Sequence, residues 1–390
     1  MPGAPAAALV RLRIAISVFF ALDGFLFAGW VVRIPAIKDQ TSASASALGL
    51  ALLGVPVGSV TTMLLTGRLC RRYGSHSVTV ACATSMALSI NLPPLTHSAA
   101  LLGLTLLVFG AAYGGLTVAF NAAAVDIVAA YGRPIMPTFH AAFSAGGLIG
   151  SGLGALLAPH LGPQPHLAVL SLLGLAVTAL AGPALIRTAP PTVVRADPAP
   201  TDGGPAGQRG QVRLLVGAFG LIALCTAYGE GAMADWGALH IRQDLGTGAA
   251  TAAAGYTVFS FAMMSARIVG ARVLEWLGPG AVVCAGGLAA TAGMLLGALA
   301  PELWLVACGY ALTGLGLANI FPIAVAGAGR LSGAQGVAVA STLGYLGFLL
   351  GPPAIGLLAD AFGLPHALTT VVALAAVAAL LGATVMRSAR

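Results

Sequence analysis

Twelve stretches of this chain are each long and apolar enough to cross a lipid bilayer, and most of its charged residues fall between them. The stretches lie at 12–33, 46–67, 76–95, 98–122, 137–159, 166–187, 213–236, 250–271, 279–299, 302–325, 335–359 and 365–386. A spanning helix needs ~20 predominantly apolar residues, so these segments and their short connections use almost all of the 390 residues. Charged residues make up 7% of the chain, against about 25% in an ordinary soluble domain. A soluble fold could not cover so much apolar surface with so few polar side chains, whereas a bilayer removes the need to cover it. The 53 glycines agree, because small residues let helix backbones approach closely in lipid. The expected fold class is therefore an all-α membrane protein of twelve transmembrane helices.

The longest polar stretch, residues 188–212, holds Pro190, Pro191, Pro198, Pro200 and Pro205. Such a segment has little to bury and reads as a linker. It divides the chain into an N-terminal six-helix bundle, 1–187, and a C-terminal one, 213–390. Basic residues accumulate on the cytoplasmic side of membrane proteins. With the N-terminus inside, the inner connections hold Arg11, Arg13, Arg68, Arg71, Arg72, Arg133, Arg187, Arg195, Arg209, Arg213, Arg272, Arg330, Arg387 and Arg390. That is 14 of the 18 Lys and Arg residues. Lys38 and Arg242 fall outside, and Arg33 and Arg267 are placed at helix ends. The reading is a multi-pass protein of the cytoplasmic (cell) membrane, with both termini and the linker in the cytoplasm. The first apolar run shows no cleavable signal peptide. Segments 4 and 5 are joined by a short polar loop at 126–137, and segments 9 and 10 by a tight turn at Pro301.

The two halves repeat. GRLCRRYG (67–74) matches ARVLEWLG (271–278), DGFLFAGW (23–30) matches EGAMADW (230–236), and LLAPHLG (156–162) matches LLADAFG (357–363). Three matches in one order, about 200 residues apart, indicate duplication. Repeats of this kind place a substrate cavity between pseudo-symmetric halves near the bilayer midplane. On these features the chain resembles the major facilitator superfamily over its whole length. The basic loop 67–74 is similar to that family's loop between helices 2 and 3, without its acidic residue. GRPIMPTFHAAFSAGGLIG (132–150), ADWGALHIR (234–242) and GLANIFP (316–322) resemble a bacterial branch near the fucose permeases. The resemblance implies two six-helix bundles that rock about a central substrate site.

Few polar residues lie inside the apolar segments. Asp23 is near the middle of segment 1, where a charged carboxylate costs about 2.5–3.5 kcal/mol on insertion scales. Glu230 holds the equivalent place in segment 7. These two acids are the candidates for proton coupling. Phe27 and Trp30 follow Asp23 on one helical face. Tyr256, Ser260 and Arg267 form a polar stripe on segment 8, and Asn121 and Asn319 are amides at related places in the two halves. Phe27, Trp30, Asn121, Tyr256, Ser260, Asn319 and Tyr345 are the candidate cavity residues. Asp126, Arg133, His140 and Arg267 are candidates for a cytoplasmic gate, with Arg267 near the inner end of its helix. Each of these also has a structural reading, as helix glue, interfacial anchor or snorkelling cation. Gly146, Gly150 and Gly154, and again Gly347 and Gly351, form stripes suited to close helix contact.

The five cysteines lie singly, without metal-ligand spacing. No nucleotide-binding loop, metal constellation or hydrolytic triad is visible, so no cofactor, no metal and no enzymatic reaction are expected. Most of the net charge of +7 sits in the connections and does not point to nucleic acid. The expected function is secondary transport of a small polar or amphipathic molecule, coupled to protons, by alternating access in a monomer. Proton-driven efflux of a drug or metabolite is the alternative, and a non-transporting membrane sensor is a weaker one.

Overall fold

The computed structural model describes residues 6–132, 135–188 and 206–388. Among the described residues the chain is helical, with a single 3-10 turn at Pro93–Leu95 and no strand. It packs as two compact units, Met1–Ala196 with Gly248–Ala254, and Asp197–Thr247 with Gly255–Arg390.

The first unit is built from α1 (Ala6–Val31), α2 (Ile34–Thr41), α3 (Ala45–Leu52), α4 (Gly54–Tyr73), α5 (Ser75–Ser89), α6 (Ala99–Tyr131), α7 (Met136–Leu157) and α8 (Pro163–Ile186). α3 and α4 meet at a bend around Leu53 and together make one long apolar element, Ala45–Tyr73. The short helix α2 is tied to the turn at Pro93–Leu95 by Gln40, whose Nε2 donates to the Pro94 and Thr96 carbonyls at 2.8 and 2.7 Å.

The second unit contains α9 (Ala206–Gln243), α10 (Ala249–Leu299), α11 (Leu303–Leu317), α12 (Ile320–Phe362) and α13 (Leu364–Ser388). α10 carries two spans, and α12 completes with α11 the span Leu303–Ser332 before forming the next, Val339–Phe362. α10 breaks at Gly278 (φ 77°, ψ 160°), immediately before Pro279. Within α12 the chain folds back, because Gly336 lies against the Ala328 carbonyl and Gly329 against Val337. A straight helix would hold residues eight apart ~12 Å from each other. With these two reversals, the apolar helices of the described chain make twelve spans.

The sequence repeat is carried into the backbone. GRLCRRYG and ARVLEWLG both end on a glycine with positive φ and extended ψ, 83° and 142° at Gly74, 77° and 160° at Gly278. Only glycine adopts that conformation without strain. Helix packing repeats too. Gly114 lies on the Ser59 backbone and Gly314 on the Phe259 backbone, each partner 200 residues from its counterpart. Gly146 and Gly150 seat α7 against the Ala21 and Phe25 carbonyls of α1, and Gly347 seats α12 against Leu224 of α9. At these points a side chain of any size would strike backbone, which is why the stripes read as glycine.

Two boundaries differ from the sequence expectation. Asp126 is inside α6, not in a loop, because nothing in Asp126–Tyr131 stops a helix before Gly132 (φ 61°). Most of the expected linker 188–212 lies outside the described residues. Its end, from Ala206, is already helical in α9, since Pro205 is the last proline of the stretch.

Candidate functional site

In the first unit, one face of α1 carries Phe20, Asp23, Phe27 and Trp30, and its rings meet α6. Phe20 packs on Phe120 (3.9 Å between ring centroids), Phe27 stacks on Tyr113 (5.1 Å) and Trp30 lies against Phe109 (6.4 Å). Asp23 therefore sits within an aromatic frame. It is 1% exposed, and its Oδ1 has no hydrogen-bond partner. A buried carboxylate oxygen without a donor is costly in its charged form, so this group needs a proton, a ligand or water to be satisfied. Phe27 is half-buried, whereas Trp30 is 2% exposed and belongs to the packing in this conformation. Asn121, half-buried on α6, spends its amide on the Thr117 carbonyl of its own helix at 2.8 Å.

In the second unit the polar groups converge. Glu230 Oε1 accepts from Arg267 Nη2 at 3.2 Å, and Arg267 Nε donates to the Ala318 carbonyl at 3.1 Å. The sequence explains why that carbonyl is open to a side chain. Its ordinary helical donor would be the N–H of residue 322, which is Pro322 and has none. The chain accordingly breaks between α11 and α12 at Ala318 and Asn319. Asn319 Nδ2 then donates across to the Ala266 carbonyl of α10 at 3.1 Å. Tyr256 bonds Ser260 one turn away and lies within electrostatic reach of Glu230, Asp235 and Arg267. Glu230, Tyr256, Ser260, Arg267 and Asn319 thus form one cluster drawn from α9, α10 and the α11–α12 break. Tyr345 is half-buried on α12.

Arg133 lies outside the described residues. His140, exposed at the start of α7, meets Phe20 edge-on at 5.4 Å. Asp126 is within electrostatic reach of His76, which sits against the Leu185 and Thr188 backbone. Arg267 is displaced from its expected place near a helix end. It is 11 residues before the break at Gly278, ~16 Å along the axis, and its side chain is held by Glu230 and Ala318.

Depth repeats as well. Asp23 falls four residues past the middle of Ala7–Val31 and Glu230 about as far past the middle of Gly210–Gln243, ~5–6 Å in each case. Residues 14–236, more than half the chain, match the family model described as Major Facilitator Superfamily. The chain belongs to the Major Facilitator Superfamily.

It is a membrane transporter, not an enzyme, embedded in the lipid bilayer by multiple spans and built to bind small-molecule substrates. It is 32% identical to an uncharacterised MFS-type transporter of Yersinia pestis, over 98% of this chain and 96% of that protein. It is 28% identical to membrane protein MosC of Rhizobium meliloti, over 94% and 88%. Among solved structures, a bacterial homologue of the human lysosomal transporter Spinster superposes with a TM-score of 0.75 at 14% identity, covering 99% of this chain and 98% of that one. The nucleoside transporter NupG superposes at 0.70 and 13%, covering 96% and 98%.

Reading the transporter's sequence alone missed Tyr113, the partner of Phe27, and the role of Pro322 in freeing the Ala318 carbonyl. The second was legible in principle, since a proline inside an apolar helix always leaves the carbonyl four residues earlier without its N–H donor.

Proposed function

We propose that the protein is a proton-coupled secondary transporter of a small polar or amphipathic solute, with Asp23 as the proton carrier. The observation that carries the reading is the buried Asp23 Oδ1 without a partner, at the depth where the pseudo-symmetric Glu230 is already held by Arg267. A carboxylate with no fixed cation can exchange its proton whenever its cavity opens to water, and can cross the cycle neutral. Glu230 is tied to a permanent cation and serves instead to hold the solute, together with Tyr256, Ser260 and Asn319. Phe27 on Tyr113 offers the solute an apolar face. The bundles 1–187 and 213–390 are the moving bodies, joined by the linker 188–212. Asp126, Arg133 and His140 close the cytoplasmic side, both termini are cytoplasmic, and the monomer is the working unit.

The test is transport in proteoliposomes against a broad metabolite panel, with and without an imposed pH gradient. Asp23→Asn keeps the size and removes the charge. It is expected to abolish accumulation driven by the pH gradient while exchange down a concentration gradient survives. Accumulation equal to the parent's would remove Asp23 from the carrier role.

A further inference from the structure

Arg33 follows α1 directly, in the turn that leads into α2. It is 2% exposed, and among the described contacts no carboxylate bonds it. Its Nε donates to Nδ1 of His166, itself fully buried, at 2.8 Å. That bond fixes the chemistry of the pair. A guanidinium can only donate, so His166 Nδ1 is the acceptor and the ring proton of the neutral imidazole is on Nε2. Both Arg33 Nη2 and His166 Nε2 are buried without hydrogen-bond partners. The pair is therefore one buried cation with two unsatisfied donors and no acceptor left over.

The Arg33 guanidinium is charged at neutral pH. A buried charge of this kind demands compensation. The C-terminal end of α1 supplies at most about half an elementary charge, and among the described residues no side-chain bond joins Arg33 to its carbonyls. Two other helix ends work in the opposite sense. Arg33 caps the N-terminus of α2, and His166 lies in the first turn of the 24-residue α8, so both residues sit at positive dipole ends. These two helix ends and the two unpartnered donors favour a negative group.

We infer that Arg33 and His166 form a binding site for the oxyanion of a small solute, a carboxylate or phosphate, taken up by the guanidinium fork and the imidazole N–H. This deepens the proposed function by assigning the solute's charge class and rests on that reading. Arginine is suited to the task because its fixed fork matches an oxyanion in two hydrogen bonds at once.

The experiment is saturable thermal stabilisation of the full-length protein in phosphatidylcholine nanodiscs. The probes are inorganic phosphate, acetate and benzoate, each carboxylate paired with its neutral amide, acetamide and benzamide. An anion that binds the folded state raises the unfolding midpoint as its concentration rises. At least one anion should stabilise the parent saturably, and its amide should not. Arg33→Gln should raise the half-saturating concentration at least tenfold, with Arg33→Lys in between because it keeps the charge and loses the fork. His166→Gln, which keeps an acceptor for Arg33 Nε, should weaken binding several-fold and serves if Arg33→Gln does not fold. Equal effects of anions and amides, no saturable anion effect, or an unchanged response in Arg33→Lys and His166→Gln would overturn the site. Stabilisation by phosphatidylglycerol in the nanodisc without any by the soluble anions would assign the pair to a lipid headgroup and overturn it likewise. No gradient is present in this assay, so its outcome is independent of whether Asp23 couples protons.

Discussion

At the residue scale, the two membrane acids occupy equivalent places along α1 and α9 and opposite situations. Glu230 has a guanidinium at 3.2 Å, and Asp23 has a carboxylate oxygen with no partner. The same type of group at related positions is thus fixed in one half and unfixed in the other. Arg267 is the more demanding member of its pair, since it satisfies both Glu230 and the Ala318 carbonyl left open by Pro322. Arg267→Gln strands both acceptors and is expected to cost roughly 1–3 kcal/mol, the range for leaving a buried acceptor unsatisfied. Glu230→Gln should cost less, because a glutamine carbonyl still accepts from Arg267. Thermal unfolding midpoints of the two single variants and the double variant give the comparison. A Glu230→Gln variant less stable than Arg267→Gln would contradict this ordering.

At the scale of elements, glycine placement decides which helices touch. Gly146 of α7 sits on the Ala21 backbone of α1, where an added side chain has nowhere to move. Gly152, two turns further along α7, faces open space. Gly146→Val is expected to lose roughly 1–3 kcal/mol through overpacking, whereas Gly152→Val should stay within about 0.5 kcal/mol of the parent. Both are read from unfolding midpoints in the same detergent. Equal losses would mean that intrinsic helix propensity, not the α1–α7 contact, governs the stripe. The internal repeat and the glycine stripes were legible in the sequence because both follow from short-range spacing. The partners of those stripes were not, since spacing says that a face is smooth without saying what lies on it. The misplaced Arg267 has the same origin. Residue counting located its Cα in the helix, but its long side chain reaches acceptors on two other elements.

For the whole molecule, the asymmetry of basic residues makes a claim about sidedness. In a background lacking the five native cysteines, Pro200→Cys should resist an impermeant thiol reagent added outside intact cells. Pro301→Cys, in the short exposed turn before α11, should react. The reverse pattern would invert the topology, and reaction at both would break the even count of spans. Membership of the superfamily fixes transport as the activity. Which solute moves is left to the few polar groups described above.

The sequence by itself determined the class of fold, the twelve spans and the duplication, because the cost of placing polar groups in hydrocarbon acts on every short window of the chain independently. It also picked out Asp23 and Glu230, since an acid inside an apolar segment needs no tertiary information to be conspicuous. Only the tertiary structure decided which polar groups meet. The Glu230–Arg267–Ala318 cluster brings together three elements, and the Arg33–His166 pair joins residues 133 positions apart. Neither follows from any periodicity. Hydrogen bonds depend on atoms within about 3 Å, and in a bundle that distance is set by which helices pack against each other and in what rotation.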